Sequence, residues 1–99
     1  MTGFKNEKIS EGLDGLYERI ANYQSQGAEF TKWRAVITIG NSIPTNECIE
    51  LNAIYLARYA LISQEVGLVP IVEPEILMDG DHSINSCYEA TNKTLSEVF

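Results

Sequence analysis

The chain has 99 residues, 44% hydrophobic and 21% charged, an ordinary globular composition with room for one small core and one domain. Fourteen Asp and Glu against seven Lys and Arg give a formal charge of −7, so the molecular field repels nucleic acid and anionic lipid and argues against both as partners. No apolar run of about 18 residues could span a membrane, and the N-terminal stretch lacks the apolar core of a secretory signal, so the expected location is cytoplasmic.

The first element is an amphipathic helix. Leu13, Leu16, Tyr17, Ile20, Ala21 and Gln24 recur at helical spacing, with Asp14, Glu18, Arg19 and Asn22 opposite them. Ser10 suits its N-cap and Gly27 its stop. From Ala28 to Ile39 the composition becomes β-branched and strand-like, with Lys32 and Arg34 set two apart. The cluster Gly40-Asn41-Ser42-Ile43-Pro44-Thr45-Asn46 marks a turn and a helix start. The second helix carries Ile49, Ala53, Leu56, Ala57, Ala60 and Leu61 on one stripe, thickened by Leu51, Ile54, Tyr55 and Ile62, and ends near Gly67.

Leu68 to Val72 reads as a buried strand leading into Glu73-Pro74-Glu75, and Pro74, which has no N–H, marks its exit. The Gly- and Asp-rich loop Leu77-Met78-Asp79-Gly80-Asp81-His82-Ser83 then opens a third helix, with Ile84, Cys87, Tyr88, Thr91, Leu95 and Val98 on one stripe. Cys48 and Cys87 fall in helical patterns without CxxC or CxxH spacing, which predicts packed, reduced thiols. Trp33 and Tyr55 are expected to pack between strands and helices. His82, with no second His or suitably placed Cys, reads as part of a turn and not as a metal ligand; no metal and no cofactor is expected.

The order α-β-α-β-α is that of a parallel α/β protein, because a helix between two strands sets them parallel. Alternating side chains then put Lys32 and Arg34 on one face and Glu73 and Glu75 on one face, so two cations confront two carboxylates across neighbouring strands. Buried charges must be paired, hydrogen-bonded or solvated. A structural ion-pair cluster is one explanation. A polar active site is the other, with cations for an anionic substrate and a carboxylate for proton transfer. Exposed charge is screened over about 8–10 Å, so local cations can receive a small phosphorylated substrate despite the global charge. Two strands cannot cover their own edges, so further strands or a second copy are needed.

Five motifs carry a resemblance: Glu11-Gly12-Leu13-Asp14-Gly15-Leu16, Ala28-Glu29-Phe30-Thr31-Lys32-Trp33-Arg34, Leu56-Ala57-Arg58-Tyr59-Ala60, Val69-Pro70-Ile71-Val72-Glu73-Pro74-Glu75-Ile76 and Asp79-Gly80-Asp81-His82. In order and spacing they resemble class I fructose-bisphosphate aldolase along nearly the whole chain. The likeness is weakest over Met1 to Lys8, and Met78 stands where many members carry proline.

The resemblance implies an incomplete (β/α)8 TIM barrel over residues 1–99, holding about the fourth and fifth barrel strands, since such barrels need roughly 250 residues. It also implies reversible cleavage of fructose 1,6-bisphosphate, a sugar phosphate, to dihydroxyacetone phosphate and glyceraldehyde 3-phosphate through a lysine Schiff base, in glycolysis and gluconeogenesis. Within that reaction Glu73 matches the proton-transfer glutamate and Lys32 a substrate-contacting lysine. Arg34 and Glu75 match the second members of the two pairs, with phosphate-facing or orienting roles. The Schiff-base lysine matches none of Lys5, Lys8, Lys32 or Lys93 and belongs to the next barrel strand, so the 99-residue chain alone is expected to be inactive. The parent is expected to be a homotetramer. The alternative is a truncated, non-catalytic βα module that oligomerises or weakly binds phosphorylated ligands.

Overall fold

A computed structural model describes residues 1, 3–40, 42–77 and 83–99. Helices α1 (Leu16–Ser25), α2 (Asn46–Val66) and α3 (Ile84–Val98) alternate with strands β1 (Phe30–Ile37) and β2 (Val69–Ile76) in the expected order. The strands pair in parallel, with Phe30 beside Val69, Arg34 beside Glu73 and Ile37 beside Ile76. Helix α2 packs on both strands, with α1 and α3 each packed against it. The core gathers Leu16, Ile20, Ala35, Leu56, Tyr59 and Leu68, and Leu13, Trp33, Ile62, Val66, Val72 and Val98 pack around it.

Helix α1 starts later than its apolar rhythm suggests. Its N-cap is Gly15 at φ 67°, and Ser10 instead donates its hydroxyl to the carbonyl of Arg34 at 2.7 Å. Gly12 at φ 121° bends the preceding loop, and a Cβ there would meet the Trp33 ring at 3.3 Å. Arg19 holds this loop by donating to the carbonyls of Asp14, at 2.8 Å, and Gly12. Tyr17 is half exposed, so the buried stripe narrows to Leu16 and Ile20. Gln24 lies at the edge of the stripe because its amide caps α2, donating to the carbonyl of Val66 at 2.6 Å.

Thr45 caps α2 by accepting from the Cys48 N–H at 3.2 Å and donates its own hydroxyl to buried Glu7 at 2.7 Å. Gly67 closes the helix at φ 92°, a left-handed turn that glycine adopts without steric cost. Both described cysteines are free thiols, Cys48 buried and Cys87 half-buried. Burial first, then neighbouring Glu7, pushes the Cys48 thiol up to about 11.

The buried face of α2 is Cys48, Ile49, Asn52, Ala53, Leu56, Tyr59 and Ser63, rotated from the expected stripe, and Ala57 and Leu61 lie exposed. Polar side chains caused the difference: the Asn52 amide N–H groups and the Tyr59 and Ser63 hydroxyls are hydrogen-bonded inside, which an apolar pattern does not register, while Asn52 Oδ1 has no partner among the described residues.

Strand β2 runs through Pro74 to Ile76. The N–H groups of Val69 and Leu77 donate to Glu29 and Ile37 on the β1 side, so odd-numbered N–H groups point to β1. Pro70 and Pro74 occupy the even positions, where the missing N–H faces the unpaired edge and costs no ladder bond. In α3, Ser83 is the N-cap, but Ile84 and Tyr88 are 84% and 70% exposed. The face against the rest of the chain is Ala90 and Thr94 with half-buried Cys87, Thr91 and Val98. The expected stripe therefore splits, and its Ile84, Tyr88 and Leu95 side has no partner among the described residues. The Lys93 ammonium on α3 reaches the side chain of Asn46 at the start of α2.

Candidate active site

One face of the strand pair meets the helices; the other is open. Thr31, Trp33, Ala35 and Ile37 of β1 turn toward the helices, and Ala35 and Ile37 are buried. Lys32 and Arg34 therefore project from the opposite face, with Glu73 and Glu75 of β2 beside them. The open face is graded along its length. At the strand starts it carries exposed Phe30 and Val69; Lys32 beside Ile71 follows, then Arg34 beside Glu73, with Glu75 nearest the C-terminal end of β2. In parallel barrels the interior is packed with apolar side chains, and the chemistry gathers at the C-terminal ends of the strands.

All four candidates predicted from sequence meet here. Lys32 Nζ lies 3.3 Å from Glu73 Oε2, and Arg34 Nε donates to Glu75 Oε2. The two pairs run in step along the strands, each cation meeting a carboxylate two positions beyond its register partner. The two pairs are not equivalent. Glu75 holds a directed hydrogen bond from the guanidinium, which lowers its pKa from the ordinary carboxylate value; partial burial opposes this, and the charges of Arg34 and Lys32 add to it. The same bond raises the Arg34 pKa. Glu75 is thus held as an anion.

Glu73 has only the ammonium contact, and its Oε2 has no water-accessible surface and no hydrogen bond of good geometry. The side chains of Lys32 and Arg34 are 62% and 52% exposed, so both cations present unshielded donors to the open side of the sheet. This set can hold an oxyanion, keep one carboxylate ionised and leave a second free to exchange a proton.

Trp33, between the two cations in sequence, faces the other way and stacks on Tyr59, with ring centroids 5.3 Å apart and planes at 23°. It packs as expected, while its Nε1 has no hydrogen-bond partner. Met78, Asp79, Gly80, Asp81 and His82, with the turn and metal-ligand alternatives weighed for them, lie outside the described residues. Sequence reasoning passed over Tyr59, Thr31 and Ser63 as an interacting set. The signal available was a Tyr and a Ser four apart on α2, facing a Thr one position before Lys32.

The family model for class I fructose-bisphosphate aldolase matches residues 1–99. A Xanthomonas campestris pv. campestris protein named "Probable fructose-bisphosphate aldolase class 1" is 57% identical over the whole chain, which covers 30% of that relative. Fructose-bisphosphate aldolase C-A of Danio rerio is 50% identical, with 27% of its length covered. The Plasmodium falciparum aldolase, solved with TRAP and a small-molecule inhibitor, superposes on all of this chain with a TM-score of 0.95 at 50% identity, over 29% of its own length. The chain spans about 30% of the relatives it matches, and its α/β arrangement is that of part of their barrel. It belongs to the class I fructose-bisphosphate aldolase family.

Proposed function

We propose that this chain supplies the substrate-holding and proton-handling segment of an enzyme, a lyase, that reversibly cleaves fructose 1,6-bisphosphate by Schiff-base chemistry. One observation carries this: two cation–carboxylate pairs stand together on the open face of a parallel strand pair, with both carboxylates in the C-terminal half of β2. A purely structural pair would hold its carboxylate by directed hydrogen bonds, whereas Lys32 stands 3.3 Å from Glu73 Oε2 without one.

Each residue has a chemical task. An iminium formed between a lysine and the sugar's ketone withdraws electrons from the carbon–carbon bond to be cut. As that bond breaks, the hydroxyl on the departing fragment loses its proton, and the remaining enamine must regain one at carbon. Glu73 is the carrier for these transfers, because its carboxylate lacks the directed hydrogen bond that fixes Glu75. Lys32, 3.3 Å from Glu73 Oε2, binds substrate oxygens beside it. Arg34, tethered through Nε to Glu75, points its remaining N–H donors at an oxyanion, where a planar fork gives two parallel hydrogen bonds. Glu75 orients Arg34.

The domain, residues 1–99, is an incomplete barrel, and the lysine that forms the iminium lies outside it. Family membership supports a cytoplasmic homotetramer as the parent. Among the described residues, no helix is long and apolar enough to cross a membrane. The non-catalytic module remains the competing function, and the two differ in covalent chemistry.

The test uses a complete barrel in which these 99 residues replace the matching stretch of the Xanthomonas campestris relative. Treatment with dihydroxyacetone phosphate and borohydride should leave a stable adduct, mapped by peptide mass to a lysine outside the exchanged segment. The isolated chain should gain no mass. An adduct on Lys32 in either protein would overturn the role assigned to it.

A further inference from the structure

We propose that Tyr59 is a positioning residue for the Lys32–Glu73 pair, acting through a polarised chain of hydroxyl groups that bolts β1 and β2 to α2. This rests on the function proposed above. The Tyr59 hydroxyl, on a side chain 1% exposed, donates to the carbonyl of Ile71 at 2.8 Å and accepts from Thr31 Oγ1 at 3.0 Å. Thr31 Oγ1 lies 2.8 Å from Ser63 Oγ. Thr31 spends its one proton on Tyr59, so Ser63 must be the donor to Thr31. The chain then runs in one direction, from Ser63 through Thr31 and Tyr59 to Ile71, each bond polarising the next.

Its anchors sit beside the reacting pair. Thr31 immediately precedes Lys32, and Ile71 is the register partner of Lys32 and stands two residues before Glu73. A shift of β2 against β1 would break the bonds of Tyr59 and change the Lys32–Glu73 distance together. The ring adds a second restraint, since it stacks on Trp33, the residue that follows Lys32. Tyr59 itself lies on the helix side of the sheet and touches neither charge. Its effect is on geometry, and small misplacements of reacting groups are costly to turnover.

Tyr59→Phe keeps the ring and removes only the hydroxyl. In the chimeric barrel it should lower kcat for cleavage by about tenfold while KM moves by less than about twofold, the pattern of an interaction used in the transition state. The control is Thr94→Val, which removes a buried hydroxyl that donates to Ala90 within α3, away from the strand pair. It should lower thermal stability to a similar extent and leave kcat unchanged. Amide exchange should accelerate around Lys32 and Glu73 in Tyr59→Phe and not in Thr94→Val.

Unchanged kcat and unchanged strand exchange in Tyr59→Phe would overturn the proposal. Equal falls in kcat for both variants would do the same, because a general loss of stability would then explain them. An inactive parent chimera would count against the function proposed above, and the exchange comparison would still decide the role of Tyr59.

Discussion

Glu73→Gln in the chimeric barrel should lower kcat for fructose 1,6-bisphosphate cleavage by about 10²–10⁴-fold, the range for losing a positioned general acid–base. KM should change little. Glutamine preserves the shape of the side chain and its packing on β2, so what disappears is the ability to take and return a proton. Glu75 cannot substitute. It is held ionised by the guanidinium of Arg34, its pKa is lowered, and its free oxygen stands one strand repeat away from the Lys32 contact. Measured Tm should stay close to the parent value, because the Lys32 ammonium is more than half exposed and makes no directed hydrogen bond to Glu73, and such pairs contribute only about 0–1 kcal/mol. Near-normal turnover in Glu73→Gln would remove the assigned role.

Lys32→Ala should be the second large effect, with a different signature. Here both kcat and KM should suffer, because in the proposed function the ammonium binds substrate, and it also sits 3.3 Å from Glu73 Oε2. Losing a charge-assisted hydrogen bond costs roughly 1.5–3 kcal/mol, and kcat/KM should fall by at least about 10²-fold when the carboxylate beside it also loses its counter-charge. Lys32→Arg should recover only part of the loss, since a planar fork does not reproduce a compact ammonium. Wild-type kcat/KM in Lys32→Ala would show that the side chain faces the site without using it. The steady-state parameters of the three variants, measured together, distinguish proton transfer at Glu73 from charge placement at Lys32.

Much of this arrangement is legible in the sequence, for reasons of periodicity. Strand alternation alone sets Lys32 with Arg34 and Glu73 with Glu75, and a helix between the strands sets them parallel, which brings the pairs together. Hydropathy misled where polar side chains are hydrogen-bonded inside. Tyr59, Ser63 and Asn52 turn the buried face of α2 away from Ala57 and Leu61. Ser10 resembles an N-cap, but Gly12 and Gly15 bend the chain so that its hydroxyl reaches the Arg34 carbonyl instead. Pro74 looked like a strand end because proline removes a donor, yet the donor it removes faces the open edge.

The unequal coupling of the two pairs was not readable at all. Residue spacing placed both carboxylates beside both cations, and only side-chain geometry shows that Arg34 engages Glu75 by a directed bond while Lys32 approaches Glu73 as a point charge. That directed bond is what lowers the Glu75 pKa. The apolar side of α3 at Ile84, Tyr88 and Leu95 belongs with the same lesson, since its spacing is correct for burial but its partner is not among the described residues.

The steady-state rate at which the folded chimeric barrel releases dihydroxyacetone phosphate from fructose 1,6-bisphosphate tests the central claim most directly. If these 99 residues supply a working proton carrier and substrate cations, the rate should be within about tenfold of the unmodified relative, less than the loss expected from removing one positioned acid–base group. A chimera that folds with the relative's thermal stability, forms the lysine adduct and yet cleaves no substrate would contradict it.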